Sequence, residues 1–171
     1  MIGMKIKRLA IGSSIVALIV GVALATAAWA GGRILHRVSV GGPDACEALG
    51  LGGPGCDANY SLHAIQFDDM TVNGHLTDQF GHGNGGFHAV IDCLAVNGTD
   101  AWVSGIITHG NLIGFGDLTG LPVITRVRDN GTSKKDPPDQ LGFSRINVAT
   151  SCEEMPDDPL LDMPDGQVKV R

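Results

Sequence analysis

The sequence predicts an all-β fold, a single antiparallel meander of about seven or eight strands arranged as a small barrel or sandwich. Three observations predict it. Val, Ile and Thr recur in short runs with period-two alternation. Gly, Asn, Asp and Pro punctuate those runs, and 25 of the 171 residues are glycine. Helix formers are scarce, with aspartate outnumbering glutamate fifteen to three.

The first thirty residues read as an export signal. A short basic lead holds Lys5, Lys7 and Arg8, an apolar run follows, and Ala28-Trp29-Ala30 offers small residues at both cleavage-specificity positions. The expectation is a signal peptide over 1–30, cleavage near Ala30, and a secreted or periplasmic protein. An uncleaved anchor is the alternative, because Leu9 to Ala28 is nearly long enough to span a bilayer. Removing the leader takes Lys5, Lys7 and Arg8 with it. Nine basic residues then face 18 acidic ones, a net charge of −9. That balance argues against nucleic acid and anionic membrane surfaces as partners, and no later segment is apolar enough for stable membrane insertion. The remaining length suits one core.

Four cysteines in an exported chain read as two disulfides with three pairings open. The favoured one joins Cys46 to Cys56 across a Gly-rich loop, and Cys93 to Cys152 across a long one. In the chain-entropy picture these contribute roughly 3 and 4 kcal/mol. Residues 31–57 are therefore expected to be an N-terminal disulfide-loop segment ahead of a β domain over 58–171. Asp44 to Leu51 is the only stretch suited to a helical turn, with Asp44 as N-cap.

The strands follow in order. "RILHRVSV" (33–40) reads as an edge strand. "NYSLHAIQF" (59–67) and "MTVNGHLTDQF" (70–80) come next, with Asn73-Gly74 signalling a bulge or tight hairpin inside the second. Residues 86–96 and 101–110 form a hairpin around "NGTD". "LPVITRVRD" (121–129) is an edge at its Pro122 end, and 139–149 and 166–171 complete the set. The acidic, proline-punctuated stretch between the last two is expected to be a surface connection.

Taking "NGTD" as the turn pairs Val96 with Ala101, Leu94 with Val103 and His88 with His109. Taking "GHGNGG" as the neighbouring turn pairs Phe80 with Phe87 and Gln79 with His88. Alternation then puts Leu76, Phe80, Phe87, Ala89, Ile91, Cys93, Ala95, Trp102 and Ile106 on the core face. Gln79, His88 and His109 gather at one polar end of the other face, with His82 in the adjoining loop. Imidazoles across a strand pair suit a transition metal or a proton carrier, although zinc normally takes three protein ligands or more. The competing reading is a polar rim on an ordinary sheet.

The loop from Arg128 to Gln140 is a second candidate. Asp129, Asn130, Asp136 and Asp139 are hard oxygen donors suited to calcium in an exported protein, against a plain turn at Asn130-Gly131 stiffened by Pro137-Pro138. Arg126 and Arg128 share a strand face, either meeting an anion or lying solvated at an edge. The sequence has no nucleophile elbow, P-loop, dinucleotide fingerprint or H-E-x-x-H helix.

The order "GGFHAVIDCLAVNG-TDAWVSGIITHG", "VRDNG-x4-DPPDQ" and terminal "GQVKVR" resembles a family of uncharacterised exported bacterial β-domains, some labelled post-COAP, over about Asn59 to Arg171. The resemblance implies an exported, compact all-β domain and brings no catalytic residue or cofactor with it. The functional expectation is a binding or structural domain engaging a glycan, a protein surface or a small ligand. The alternative is a metal-binding protein or metal-dependent enzyme built on the histidine cluster.

Overall fold

Eleven short strands build one antiparallel sheet in a computed structural model that describes residues 32–43, 59–81, 83–133, 135–163 and 165–171. The first five are β1 (Ile34–Gly42), β2 (Asn59–Phe67), β3 (Val72–Phe80), β4 (Gly85–Asn97) and β5 (Asp100–Leu112). A two-residue β6 (Gly116–Asp117), β7 (Pro122–Arg128), β8 (Asp139–Gly142), β9 (Arg145–Ile146), β10 (Leu160–Met163) and β11 (Gln167–Val170) follow. The spatial order is β10-β8-β7-β5-β4-β3-β2-β1-β11, with β6 on β5 and β9 on β7. The all-β class is as the sequence predicts, and the strand count is higher because the expected strand over 139–149 divides and short pairings form in two loops. The signal segment, the 44–51 helical turn and the Cys46–Cys56 pairing lie outside the described residues.

The sheet nearly closes into a barrel, because β11 comes round against β7 and β8. No ladder joins them. Instead Asp139 Oδ2 accepts from the buried Val168 N–H at 2.6 Å, and Asp129 Oδ2 accepts from Val170 N–H at 3.0 Å. Asp139 Oδ1 also takes the Asn130 N–H at 2.8 Å, which ties the preceding loop to the same seam. Two carboxylates thus satisfy backbone donors that a neighbouring strand would otherwise take. β1 is consequently no edge strand: β2 flanks it on one side and β11 on the other.

Alternation fills the interior. Val38 and Val40, Tyr60 and Leu62, Leu76, Phe87, Ala89 and Ile91 point inward with Val103, Val123, Val127 and Val168. Tyr60 crosses the barrel to Thr125 Oγ1 at 3.3 Å, and Thr125 donates to the Gly142 carbonyl at 3.1 Å. Ser144 donates to buried Asp78 Oδ2 at 2.5 Å. These side chains occupy the space that a larger barrel would leave for a ligand.

Several expected placements change for local reasons. Gly74 sits in an uninterrupted strand. A Cβ there would lie 2.6 Å from the His63 carbonyl oxygen and 2.7 Å from Ala64 Cβ, so glycine permits β2 and β3 to approach. The chain reverses at Asp68–Met70 instead, where Met70 has φ 68°. Asp92 is an extra residue in β4 opposite the Gly105–Ser104 step, which exchanges the two faces beyond it. Leu94 therefore enters the core, while Cys93, Ala95 and Trp102 move outside and pack around buried Cys152. Ile106, expected inside, is 43 % exposed, and Ile107 is buried in its place.

That outer cluster has its own cover. The 152–165 stretch is more than a surface connection: Cys152 bonds to Cys93, Pro156 carbonyl accepts from Trp102 Nε1 at 2.8 Å, and β10 pairs with β8. Ser151 and Glu154 cap the short 3-10 turn reciprocally. Arg126 is neither solvated nor open to an anion. It is 8 % exposed, lies over the Trp102 ring, and pairs with Asp100 at 2.9 Å and Asp157 at 2.7 Å, while Arg128 shares Asp100.

Candidate functional site

At one end of the barrel the strands β4 and β5 run past the ladder's middle and carry a cleft of about 670 Å³ on the outer surface. Its floor is mostly backbone, from Gly85, Gly86 and Gly110, over the buried Phe87 ring. At Gly110 a side chain would collide with Phe87, so the open floor depends on glycine there. His88 and His109 form one wall. Gln79, Asn111, Asp117 and Thr119 supply further polar groups around it.

The pairing of His88 with His109 survives by compensation. Asp92 adds a residue to β4, and Thr108 adds one to β5 between the Ala89–Ile107 and His88–His109 pairs. The second bulge restores the register that the first one breaks. The rings stack with centroids 4.4 Å apart and planes 21° apart.

Threonines fix both rings. Thr77 Oγ1 lies 2.8 Å from His88 Nδ1, and Thr108 Oγ1 lies 3.3 Å from His109 Nδ1. Thr108 donates its single hydroxyl proton to the His88 carbonyl at 3.1 Å. With that proton on the carbonyl, Thr108 is left to accept from His109 Nδ1–H, a tautomer assigned from the hydrogen-bond network. A ring held at Nδ1 with Nε2 presented outward is the arrangement that metal-binding and hydrogen-bonding imidazoles share.

Asp117 lines the cleft as well. Thr119 donates to its Oδ1 from the backbone at 2.9 Å and from the hydroxyl at 2.6 Å. Those two bonds hold its carboxyl below the usual carboxylate range, the hydroxyl contributing most. β6 carries Asp117 and pairs with the end of β5, setting Asn111 opposite it. The same D-x-T pattern closes the β2–β3 turn at Asp69 and Thr71.

Gln79 does not pair with His88. The β3–β4 register is two residues from the expected one, so Gln79 faces Gly86 and Thr77 faces His88. An even shift preserves which face each residue occupies, and Gln79 still lines the cleft. His82 lies outside the described residues. A second imidazole stack, His63 on His75 with centroids at 5.8 Å, lies further along the same outer face.

The calcium candidates serve the barrel seam and its loop. Asp129 and Asp139 accept from β11, Asp136 Oδ2 accepts from Ser133 N–H at 2.8 Å, and Asn130 Nδ2 donates to the Pro138 carbonyl at 2.6 Å. Among the described residues, no group of three or more His, Cys, Asp or Glu is arranged to hold a metal ion.

Comparison with known proteins found no matching family model, curated sequence or solved structure. The site's own geometry carries the functional reading.

Thr108, Asn111, Asp117 and Thr119 escaped the sequence reading, whose alternation puts Thr77 on the face of Gln79, His88 and His109 without giving it a role. The repeated D-x-T at 69–71 and 117–119 was the one legible signal for part of that set.

Proposed function

We propose that the chain is an exported, disulfide-stabilised binding domain, a member of the post-COAP-like family, that takes a small polar ligand such as a glycan end in the outer cleft. The cleft carries the reading. Donors and acceptors from Gln79, His88, His109, Asn111 and Asp117 converge over a rigid backbone floor, and ligand sites commonly combine such convergent polar groups with an apolar base. The barrel interior offers no comparable room, since its largest side chains are fully buried against one another. Among the described residues no helix is long and apolar enough to cross a membrane.

The test is a thermal-shift and calorimetric screen of the mature protein against neutral and acidic sugars, with His109→Ala and Asn111→Ala as site variants. A ligand that raises the melting temperature of the parent and neither variant supports the reading. Ligands that act equally on all three proteins place binding elsewhere.

The stacked pair supports a second reading, a transition-metal site on Nε2 of His88 and His109 in the cleft that Gln79 also lines. Two anchored imidazoles leave coordination positions for substrate or solvent. Stoichiometric zinc, nickel or copper in untagged protein, lost in His88→Ala, supports this reading. Protein that gains no affinity for these ions over His88→Ala removes it. Calcium at Asp129, Asn130, Asp136 and Asp139 predicts a melting temperature that rises with calcium and falls with chelator.

A further inference from the structure

Some described basic residues of this acidic protein are held in ion pairs and others are not. Arg126, Arg128 and Arg145 all form ion pairs, with Asp100, Asp157 and Asp158. Arg33, Arg37, Lys135, Lys169 and Arg171 form none with any described residue, and of these Arg37, Lys169 and Arg171 are neighbours in the sheet.

Register places these three cations together. Arg37 and Arg171 exchange backbone hydrogen bonds at 2.8 and 2.9 Å, so they are direct cross-strand neighbours. Lys169 pairs with Ser39, two residues along from each. Adjacent strands lie about 4.8 Å apart and alternate residues about 7 Å apart, so the three charges fit one short anionic segment.

Inward positions on these strands are Val38, Val40 and Val168, which turns Arg37, Ser39 and Lys169 outward. The row through Lys169 and Ser39 continues to His63 and His75. The next row holds Ser61 and Thr77. No outward position on β11, β1, β2 or β3 carries a carboxylate: the one acid within these strands, Asp78, is buried. A chain with twice as many acids as bases, once the leader is removed, keeps the outward positions of these four strands free of them, while Asp129 flanks the β11 edge through Val170 N–H and Asp68 and Asp69 lie in the β2–β3 turn.

We infer that this outer face of β11-β1-β2-β3 binds an acidic polysaccharide, with Arg37, Lys169 and Arg171 meeting its carboxylate or sulfate groups. Charge complementarity commits the surface to an anion. The intervening side chains choose among anions. Ser39, Ser61 and Asn73 are short polar side chains that pair with sugar hydroxyls. Half-buried Phe67 shares their outward parity two residues beyond Ile65, the residue opposite Arg37, which makes duplex DNA and anionic vesicles the necessary competitors in the test. The acidic remainder of the protein confines binding to this patch and repels extended polyanions from the other sides.

The experiment measures binding of the mature protein to polygalacturonate and to heparin fragments in 50 and 200 mM salt, with dextran as the neutral polymer. Arg37→Ser/Lys169→Ser/Arg171→Ser removes the patch, and Lys135→Ser removes an exposed cation from the 129–139 loop. The inference expects binding to at least one acidic polymer and none to dextran. It further expects weakening on the order of tenfold over that salt range for three neutralised charges. The triple variant should lose at least tenfold with an unchanged melting temperature, and Lys135→Ser should bind as the parent does. Equal losses in both variants, or preference for duplex DNA or anionic vesicles over both polysaccharides, would overturn it. Binding that appears only after neutralising Asp44, Glu47 and Asp57 would also overturn it, by giving the face to the chain's own 44–57 segment.

Discussion

Asp139 closes the barrel, and its removal is the most informative perturbation of the fold. It is 7 % exposed, and its two oxygens accept from Val168 N–H at 2.6 Å and Asn130 N–H at 2.8 Å. Val168 is fully buried, so its N–H has no access to water once the carboxylate is gone. A hydrogen bond to a charged group contributes about 1.5–3 kcal/mol, and an orphaned buried donor costs about 1–3 kcal/mol. Asp139→Ala therefore costs about 3–5 kcal/mol, a large part of a typical domain's stability. For a domain of this size each kcal/mol lowers the melting temperature by about 3–4 °C, so the expected fall is on the order of 10–15 °C. Asp139→Asn keeps one acceptor oxygen and should cost about half as much. Urea unfolding followed by circular dichroism reads both values, with Asp162→Asn as the exposed comparison expected within about 0.5 kcal/mol. A fall below about 3 °C for Asp139→Ala would refute the carboxylate seam.

Three further perturbations test other parts of the structure. Cys93→Ser with Cys152→Ser opens a closure of sequence separation 59 and should cost about 4 kcal/mol in the chain-entropy picture; an unchanged melting temperature on adding reductant to the parent would contradict it. Gly74→Ala should push β2 from β3 at a cost of about 1–3 kcal/mol, read by thermal unfolding, and a neutral result would deny the close approach at His63 and Ala64. Burial, then Arg37, then His75 hold the His63 pKa below its ordinary 6.5. The unfolded chain therefore takes up this proton first as pH falls through 6.5, and stability drops until pH passes below the folded value. His63→Gln should flatten the stability profile in that window, and an identical slope in both proteins would exclude the effect.

The sequence made the β4–β5 turn and the bounds of β2 legible because they are local, whereas the β3–β4 register is two residues from the expected one. β2 begins and ends at Asn59 and Phe67 as its alternation indicates, and Val96–Ala101 and Leu94–Val103 pair around the "NGTD" turn as counted. The His88–His109 pair was also correct, but simple counting reached it only because two bulges cancel. Between them that counting fails, and beyond Asp92 it assigns Cys93 and Trp102 to the wrong face. Nothing in a single residue's chemistry announces a bulge of this kind, which shows only in the pairing of Ile91 with Gly105 and Cys93 with Ser104.

The seam was illegible for a different reason. Asp129 and Asp139 look like calcium ligands because both uses need the same hard oxygens. Their partners, the amides of Val168 and Val170, lie 29 and 41 residues away and become unpaired edge donors only once the barrel curls. The cleft shares that difficulty: Asp117 reaches it through a two-residue strand too short to detect from alternation. The outer cationic face was hidden by net charge, which averages over surfaces that the fold separates.

The most direct test of the binding account is amide NMR of the mature protein, titrated with the strongest ligand from the sugar screen. The account predicts saturable shifts concentrated at Gln79, Gly86, His88, His109, Gly110 and Asn111. Shifts centred instead on barrel-lining residues such as Leu62, Leu76 and Val103, with the cleft unchanged, would contradict it.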